Sequence, residues 1–252
     1  TSISDPSAAT RTITVVNTGL KPWSARNFDL TLEAYEFKGA TVSISGFRKE
    51  LDGFFTATRV PATQALLEQY GLPPDLLSGN YEVITQENSA NKGIINGFEW
   101  SWRQSLKPFT SLPSWTRGIA GFYNGTHLRM SGPGAATLTG YSTRINNWGI
   151  SYTRGNFAAK LNATRSNGPI HAIIPATATR PAGRYHVVER TVMGGSLVYR
   201  INKRLTLHLS GQNLSNALYR TYRAVPGAPA YTLPDNYRDN GIEYVFGIRG
   251  EF

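Results

Sequence analysis

Apolar and polar residues alternate along much of the chain, which is the pattern of β-strands that present one apolar and one polar face. In the segment from about 94 to 106, Phe98, Trp100 and Trp102 alternate with polar and charged residues. Nine segments share this alternation between turn residues, and they lie at about 26–37, 41–55, 94–106, 115–131, 145–153, 157–166, 186–200, 205–222 and 241–252. The alternation therefore predicts an all-β fold of about nine antiparallel strands.

The connections between these segments differ in length. Three tight turns lie at 38–40, 154–156 and 202–204, and long connections lie at about 56–93, 132–144, 167–185 and 223–240. Transmembrane β-barrels have short turns on one side of the membrane and long loops on the other. We therefore predict an antiparallel transmembrane β-barrel whose last strand ends at the periplasm, with residues 1–25 in an outer loop.

An odd number of strands cannot close an ordinary bacterial barrel, because such barrels have even strand numbers and an unpaired edge cannot face lipid. The sequence is therefore predicted to be a partial barrel, with further strands upstream of Thr1 and a true end at Phe252. Within the connection 56–93, residues 63–71 have the pattern of a short helix that stops at Gly71. We expect this helix to pack on its own loop.

Composition narrows the possible classes. The 252 residues include no cysteine, which removes disulfide frameworks and thiolate chemistry. The longest apolar runs are far shorter than the roughly 20 residues of a transmembrane helix. The formal net charge of +10 comes from Lys and Arg residues scattered singly, so nucleic acid is not predicted as a partner. The charge suits anionic surface lipid or an acidic ligand in a positive lumen, and equally a solvated basic surface.

No pattern of catalytic or metal-binding residues is present in the sequence. The four histidines are His127, His171, His186 and His208. They lack the HExxH spacing of metalloproteases, and neither a Gly-x-Ser-x-Gly elbow nor a Walker-type loop occurs. We therefore predict neither enzyme activity nor a cofactor. His208 falls on a polar strand face, where a hydrogen-bonded wall residue is the expected role.

Alternation also predicts which charged residues face the lumen of the barrel, opposite the apolar residues. They are Glu99, Arg103, Lys160, Glu243, Arg249 and Glu251. We expect them to hydrogen-bond the wall and whatever fills the lumen, rather than a ligand. The sequence does not identify the ligand-binding residues.

Four stretches, in order along the chain, resemble motifs of the C-terminal barrel region of TonB-dependent outer-membrane receptors. They are Asn17–Trp23 with Asn27–Glu33, Gly46–Phe54, Lys92–Trp100, and Leu205–Leu207 with Asn213–Asn216 and Tyr219. Trp23 stands where the family usually has Glu. At the end of the chain, Tyr244, Phe246, Ile248 and Phe252 resemble the signal read by the barrel-assembly machinery.

The resemblance implies that residues 1–252 are the C-terminal portion of a barrel of about 22 strands around a plug. The plug domain and the N-terminal strands would then be absent from this sequence. It also implies a Gram-negative outer membrane and gated, energised uptake of a scarce small ligand of open identity. The implied partners are the TonB complex through the missing N-terminal region, the barrel-assembly machinery, and outer-membrane lipid with lipopolysaccharide.

Two other hypotheses remain open at the level of sequence. A small outer-membrane barrel enzyme would need acidic and histidine residues converging near one rim, and an even strand number that includes a strand from 8–18. A secreted glycan-binding β-sandwich would bury its Trp-bearing faces in a core or use them to line a groove. Its candidate stacking residues are Trp100, Trp102, Trp148 and Tyr152.

Overall fold

A computed structural model describes residues 1–4, 11–134, 140–168, 170–174, 182–225, 227, 229 and 234–250. Two compact units divide the chain. The first comprises Thr1–Asn27, Lys49–Ile94 and Ser131–Thr137, and the second comprises Phe28–Arg48, Ile95–Met130 and Leu138–Phe252.

Strands dominate the described residues. In chain order they are β1 Ser2–Ile3, β2 Thr12–Thr14, β3 Ser24–Phe37, β4 Ala40–Asp52, β5 Phe55–Pro61, β6 Glu82–Asn88, β7 Gly93–Ser105, β8 Ile119–Ser131, β9 Arg144–Arg154, β10 Phe157–Ser166, β11 Ile170–Ile174, β12 Gly183–Val187, β13 Arg190–Arg200, β14 Leu205–Gln212, β15 Tyr219–Ala224, β16 Pro234–Arg238 and β17 Glu243–Gly250. The helices whose full extent the structure describes are α1, Gln64–Gln69, and two short 3-10 helices, Pro74–Gly79 and Ser114–Gly118. No helix in these ranges is long and apolar enough to cross a membrane.

Nine strands form one sheet, here called the main sheet, in the order β17-β14-β13-β10-β9-β8-β7-β4-β3. Each neighbour in this order is the next predicted strand along the chain, so the nine-stranded prediction is confirmed. The registered pairs from β8 to β17 are antiparallel. The fourth predicted strand begins later than expected, at Ile119, because the 3-10 helix after Pro113 occupies its first residues.

Two of the predicted strands are interrupted. The segment 186–200 is divided between β12 and β13, and the segment 205–222 between β14 and β15. In the second case, Asn213 and Asn216 adopt positive φ angles of 51° and 45°, which end the extended backbone. The residues beyond each interruption leave the main sheet and pair elsewhere.

Tight turns join β3 to β4 and β9 to β10. Gly39 at the first turn has φ 79°, and a Cβ there would lie 2.8 Å from both the Ser105 carbonyl oxygen and Pro108 Cγ. Ser105 donates its backbone N–H to the Gly39 carbonyl at 2.9 Å. The connection from β7 to β8 therefore begins at the same end of the sheet as the tight turn, although it is longer. The predicted alternation of short and long connections has this exception.

The first unit contains a small sheet in the order β1-β2-β6-β5, in which β2 and β6 run parallel. Ile13, Leu67 and Val83 are almost fully buried and form its core with Val15 and Tyr81. The connection predicted at 56–93 is thus folded around a hydrophobic core and contains two strands that the sequence pattern did not indicate. The enzyme hypothesis needs a barrel strand from 8–18, but in the described part of that segment, 11–18, the strand is β2, which pairs in this sheet.

The helix predicted at 63–71 is confirmed as α1. Thr63 is its N-cap, because Thr63 Oγ1 accepts the Leu66 N–H at 3.3 Å. Gly71 follows the helix with φ 63°, as expected for a helix stop. Leu67 is only 1% exposed, so the helix is held by the core of its own unit.

A second small sheet, in the order β11-β12-β15-β16, is built from the connections predicted at 167–185 and 223–240 together with the ends of neighbouring strands. All three of its strand pairs are antiparallel. Register shifts interrupt the pairs of β11 with β12 and of β15 with β16. It belongs to the second unit, like most of the main sheet.

Candidate functional site

Cross-strand register divides the main sheet into an apolar face and a polar face. On the apolar face Leu161 pairs with Ile150, Leu197 with Leu209, and Leu209 with Phe246. These five residues are 39% to 65% exposed. Such a wide exposed apolar surface is rare on soluble monomers and marks contact with a membrane or another protein.

Aromatic rings continue the apolar face across β7 and β8. The ring centres of Phe98 and Trp100 lie 5.3 Å apart, and those of Trp100 and Tyr123 lie 6.0 Å apart. Trp102 and Trp148 on the same face are 42% and 38% exposed. The Trp-bearing face predicted from alternation therefore exists and is open rather than enclosed.

Hydrogen-bonded side chains cross the polar face. Asn147 donates from Nδ2 to Asn124 Oδ1 at 2.9 Å and accepts at Oδ1 from the Thr164 hydroxyl at 2.8 Å. The Thr126 hydroxyl donates to Glu99 Oε1 at 3.2 Å. This ladder satisfies polar side chains on four neighbouring strands and gives the face a fixed hydrogen-bonded surface.

The predicted lumen charges that are described lie on the polar face. Lys160 pairs with Ser151 and Ser196, Glu243 with Gln212, and Arg249 with Thr206. Arg103 is four residues after Glu99 on β7, so alternation puts both on this face. Glu251 lies outside the described residues, as does Phe252.

These charges are not gathered into one site. Lys160 on β10 is three strands away from Glu99 and Arg103 on β7, which corresponds to about 14 Å at ordinary strand spacing. Glu243 and Arg249 lie on the edge strand β17, two strands beyond β13. The polar face therefore carries dispersed charge rather than a catalytic cluster.

A group of charged and aromatic residues, four in the second small sheet and one at the start of β13, was not predicted. Tyr185 pairs with Arg223, and Tyr219 pairs with Arg238. The Arg223 guanidinium lies 5.3 Å from the Tyr185 ring centre and donates from Nη2 to the Tyr185 hydroxyl at 2.7 Å. Arg190 and Arg238 lie 5.1 and 6.0 Å from the Tyr219 ring centre. We call these five residues the Arg–Tyr face.

One signal in the sequence could have indicated this face. Tyr219 lies near the end of the strand predicted at 205–222 and Arg223 is the first residue after it, so alternation continued by one residue puts both on one side. Their partners Tyr185 and Arg238 come from connections that the sequence pattern treated as loops. The pairing of these segments is what brings the five side chains together.

The histidine side chains that the structure describes do not converge on one site. His186 stacks on Tyr222 with ring centres 5.0 Å apart and an interplanar angle of 12°. Burial lowers the pKa of His186, and the nearby Arg184 lowers it further. His208 lies on the polar face beside Gly247, where a Cβ would be 2.9 Å from His208 Nδ1. The side chain of His171 is outside the described part of the structure.

The first unit has a polar cavity of about 330 Å³. Its charged lining residues are Arg26, Glu50, Asp52 and Lys92. Lys92 Nζ lies 3.3 Å from Asp52 Oδ2, and both side chains are more than half exposed. Among the described residues, no group of three or more His, Asp or Glu side chains could hold a metal ion. The cavity therefore contains a solvated ion pair.

Comparison with solved structures finds the same fold in outer-membrane receptors. The FpvA receptor of Pseudomonas aeruginosa, in complex with iron and a heterologous pyoverdine, has a TM-score of 0.60 at 14% identity, covering 92% of this chain and 28% of that one. A mutant of the ferric enterobactin receptor PfeA from Pseudomonas aeruginosa, in complex with enterobactin, has a TM-score of 0.62 at 17% identity, covering 97% and 34%. The unliganded ferric citrate transporter FecA has a TM-score of 0.56 at 13% identity, covering 89% and 31%.

This chain thus spans about a third of the length of these structures. No curated protein matches it in a sequence comparison. The family model described as TonB dependent receptor-like, beta-barrel matches residues 2–214. This match excludes the β-sandwich hypothesis, since the fold is that of a barrel wall. The chain therefore belongs to the TonB-dependent receptor-like β-barrel family, whose members are receptors and transporters of the Gram-negative outer membrane.

Proposed function

We propose that this chain is part of the wall of a larger outer-membrane barrel that takes up a scarce ligand by gated, TonB-energised transport. The observation that carries the proposal is the two-faced main sheet, with an exposed apolar face and a hydrogen-bonded polar face. Lipid is the solvent that favours such an apolar face, because apolar side chains lose nothing by contact with acyl chains. The opposite face would then line the lumen.

The two edges of the main sheet support a larger barrel. Among the strands that the structure describes, β3 and β17 each have a neighbour on one side only. Backbone N–H and C=O groups at an unpaired edge have no water to bind within a bilayer, and each costs several kcal/mol. We therefore propose that further strands of the same barrel pair with β3 and β17. The plug domain and these strands would be supplied by the remaining two thirds of the receptor architecture.

The polar face would form one sector of the lumen wall. Glu99, Arg103, Lys160, Glu243 and Arg249 would hydrogen-bond the wall and the plug, with Glu251 as a further candidate. Their dispersion over several strands favours this role over ligand capture. Ligand capture would belong to the outer loops of the receptor, and the plug would connect the ligand site to TonB.

Strand β17 would also direct assembly and contact lipid. Tyr244, Phe246 and Ile248 are 65%, 65% and 63% exposed on the apolar face of this edge strand. An exposed apolar edge strand is a template for pairing with another chain. It would be read by the barrel-assembly machinery together with Phe252, and would afterwards contact outer-membrane lipid, with lipopolysaccharide in the outer leaflet.

The assignment of faces can be tested by cysteine labelling, since this sequence contains no cysteine. The complete gene product, without other cysteines, would carry Phe246→Cys or the matched Val245→Cys. In outer-membrane vesicles, Phe246→Cys should react with a lipid-soluble maleimide and be protected from a charged one. Val245→Cys should show the reverse preference. Equal labelling of both variants by the charged reagent would rule out the barrel wall.

Transport can be tested separately. Cells that express the complete gene, with and without TonB, would be given radiolabelled ferric siderophores, cobalamin and oligosaccharides in turn. Accumulation of one of these that requires both the gene and TonB supports the proposal. Accumulation that persists without TonB would contradict energised gating and would indicate a passive pore.

A further inference from the structure

The Arg–Tyr face lies on the same side of the chain as the polar face of the main sheet. Arg190 is the first residue of β13 and precedes Ser196 by six residues, so both point to one side. Ser196 pairs with Lys160 on the polar face. Arg190 also lies against the Tyr219 ring. Through Arg190, the polar face continues into the second small sheet.

All three guanidinium groups lie close to tyrosine rings, and one of them, that of Arg223, also donates to a tyrosine hydroxyl. Arg190 and Arg238 approach the same Tyr219 ring, and Arg223 approaches the Tyr185 ring. The attraction between a guanidinium and a ring is electrostatic and does not in itself occupy the N–H donors. Only Arg223 uses one of these groups on its tyrosine, through the bond to the hydroxyl. Among the described residues, the side chains of Arg190 and Arg238 donate no hydrogen bond to another protein group, which leaves their N–H groups for a ligand.

Carboxylates do not neutralise these three arginines. Across the described ranges, none of the three forms an ion pair, whereas Arg165 in the same unit pairs with Glu189. The acidic residue nearby in the small sheet is Asp235, whose Oδ2 accepts the hydroxyl of Thr221 at 3.0 Å. The face therefore carries excess positive charge on a partly desolvated surface, which attracts anions.

We propose that the Arg–Tyr face binds a multivalent anion through carboxylate or phosphate groups, and that this anion is the transported ligand. Arginine binds such groups in bidentate fashion. Tyr219 and Arg223 are four residues apart on β15, which is about 13 Å along a strand. The two positive centres therefore select a ligand with anionic groups at well-separated positions. The inference rests on the proposed function only in equating the bound anion with the transported ligand.

Binding can be measured on the complete gene product in a neutral detergent, freed of lipopolysaccharide. The probe is inositol hexakisphosphate, with uncharged myo-inositol for comparison, in isothermal titration. The double variant Arg190→Gln/Arg238→Gln removes two charges from the face. The matched control Arg184→Gln/Arg220→Gln removes two charges from the opposite face, because Arg184 and Arg220 are adjacent in sequence to Tyr185 and Tyr219.

The double variant should bind the probe at least about tenfold more weakly, since charge-assisted hydrogen bonds are lost. The control should change the affinity by less than about twofold, and Arg223→Gln should weaken binding to an intermediate degree. Myo-inositol should not bind. Equal weakening by both double variants would overturn the proposal, because the effect would then be one of total charge.

A second readout separates a soluble anion from lipid phosphate. Lipopolysaccharide that co-purifies with the complete receptor should be unchanged by Arg190→Gln/Arg238→Gln. Loss of that lipid with unchanged binding of the probe would overturn the proposal. The titration needs no TonB and no transport, so a failure of uptake with intact binding counts against the proposed function alone. If the probe does not bind and uptake of an uncharged ligand persists, the proposed anion site is wrong and the proposed transport function stands.

Discussion

The Leu214 side chain lies over Gly211 on the apolar face, so closely that a Cβ at Gly211 would be 2.6 Å from Leu214 Cδ2. This contact follows from the turn after β14, in which Asn213 has φ 51°. The Leu214 N–H donates to the Met193 carbonyl at 2.9 Å, and Asn213 Nδ2 donates to the Gly241 carbonyl at 2.7 Å. The turn is thus tied to β13 and to the residues before β17, and it directs the chain out of the main sheet.

Gly211→Val should destabilise the folded barrel by about 1–3 kcal/mol, because the larger side chain cannot share the space that Leu214 occupies. Heat-modifiable gel migration of the complete gene product measures this as a lower conversion temperature. Gly121→Ala is the matched control, since the nearest atom to its Cβ would be 3.7 Å away. If Gly121→Ala lost as much stability as Gly211→Val, the close contact with Leu214 would not be the cause of the loss.

Asn147→Leu should cost about 1–3 kcal/mol, because it leaves Asn124 and Thr164 without their hydrogen-bond partner on the polar face. Unfolding in guanidinium chloride, monitored by tryptophan fluorescence, measures the change. Ser210→Ala on the same face is the control and should be nearly neutral, as no described residue hydrogen-bonds the Ser210 hydroxyl. An unchanged midpoint for Asn147→Leu would mean that the ladder adds nothing to stability.

Leu161→Arg should destabilise the barrel by about 2–4 kcal/mol, because it moves a charge into the lipid at the middle of β10. Asn162→Arg, the next residue on the same strand, puts the same side chain on the polar face and should cost much less. Folding yield into phosphatidylcholine bilayers distinguishes the two variants. Similar yields for both would mean that the apolar face does not meet lipid.

Acidification should weaken the second small sheet through His186. Its pKa is lowered by burial and by Arg184, so the folded state favours the neutral ring. Above the ordinary pKa of about 6.5 the ring is neutral in both states, and no stability depends on it. As the pH falls below that value the unfolded state gains the proton first, and stability is lost.

Amide hydrogen exchange of β12 and β15 at pH 7.5 and pH 5.5 measures this effect. The native chain should exchange faster at the lower pH, after correction for intrinsic rates, and His186→Gln should not. His208→Gln is the matched control, because His208 lies in the main sheet away from these strands. Equal acid sensitivity in native chain and His186→Gln would assign the effect to other groups.

Local patterns in the sequence were enough to predict the main sheet. Alternation along β7, β10 and β17 identifies both the strand and its two faces, because successive side chains of a strand point to opposite sides. The helical pattern of residues 63–71 and the stop at Gly71 identify α1, because glycine readily adopts the positive φ that ends a helix. These signals are carried by neighbouring residues, and the resemblance of the motifs to the family implied a larger barrel.

Other elements depend on contacts between distant residues. β2 at Thr12–Thr14 pairs with β6 at Glu82–Asn88, and short strands have too few residues for alternation to be recognised. The positive φ angles at Asn213 and Asn216 end a strand that the apolar pattern extends. In each case a turn or a distant partner determines the backbone, so the sequence pattern is incomplete there.

The sequence by itself determined which residues of the main sheet are apolar and which are polar, and hence the kind of solvent each face requires. Only the tertiary structure decided that Tyr185 meets Arg223 and that Arg190 and Arg238 meet on Tyr219. The physical reason is the range of the interaction. Alternation is a property of one extended strand, whereas the Arg–Tyr face exists only after segments far apart in the chain have paired in register.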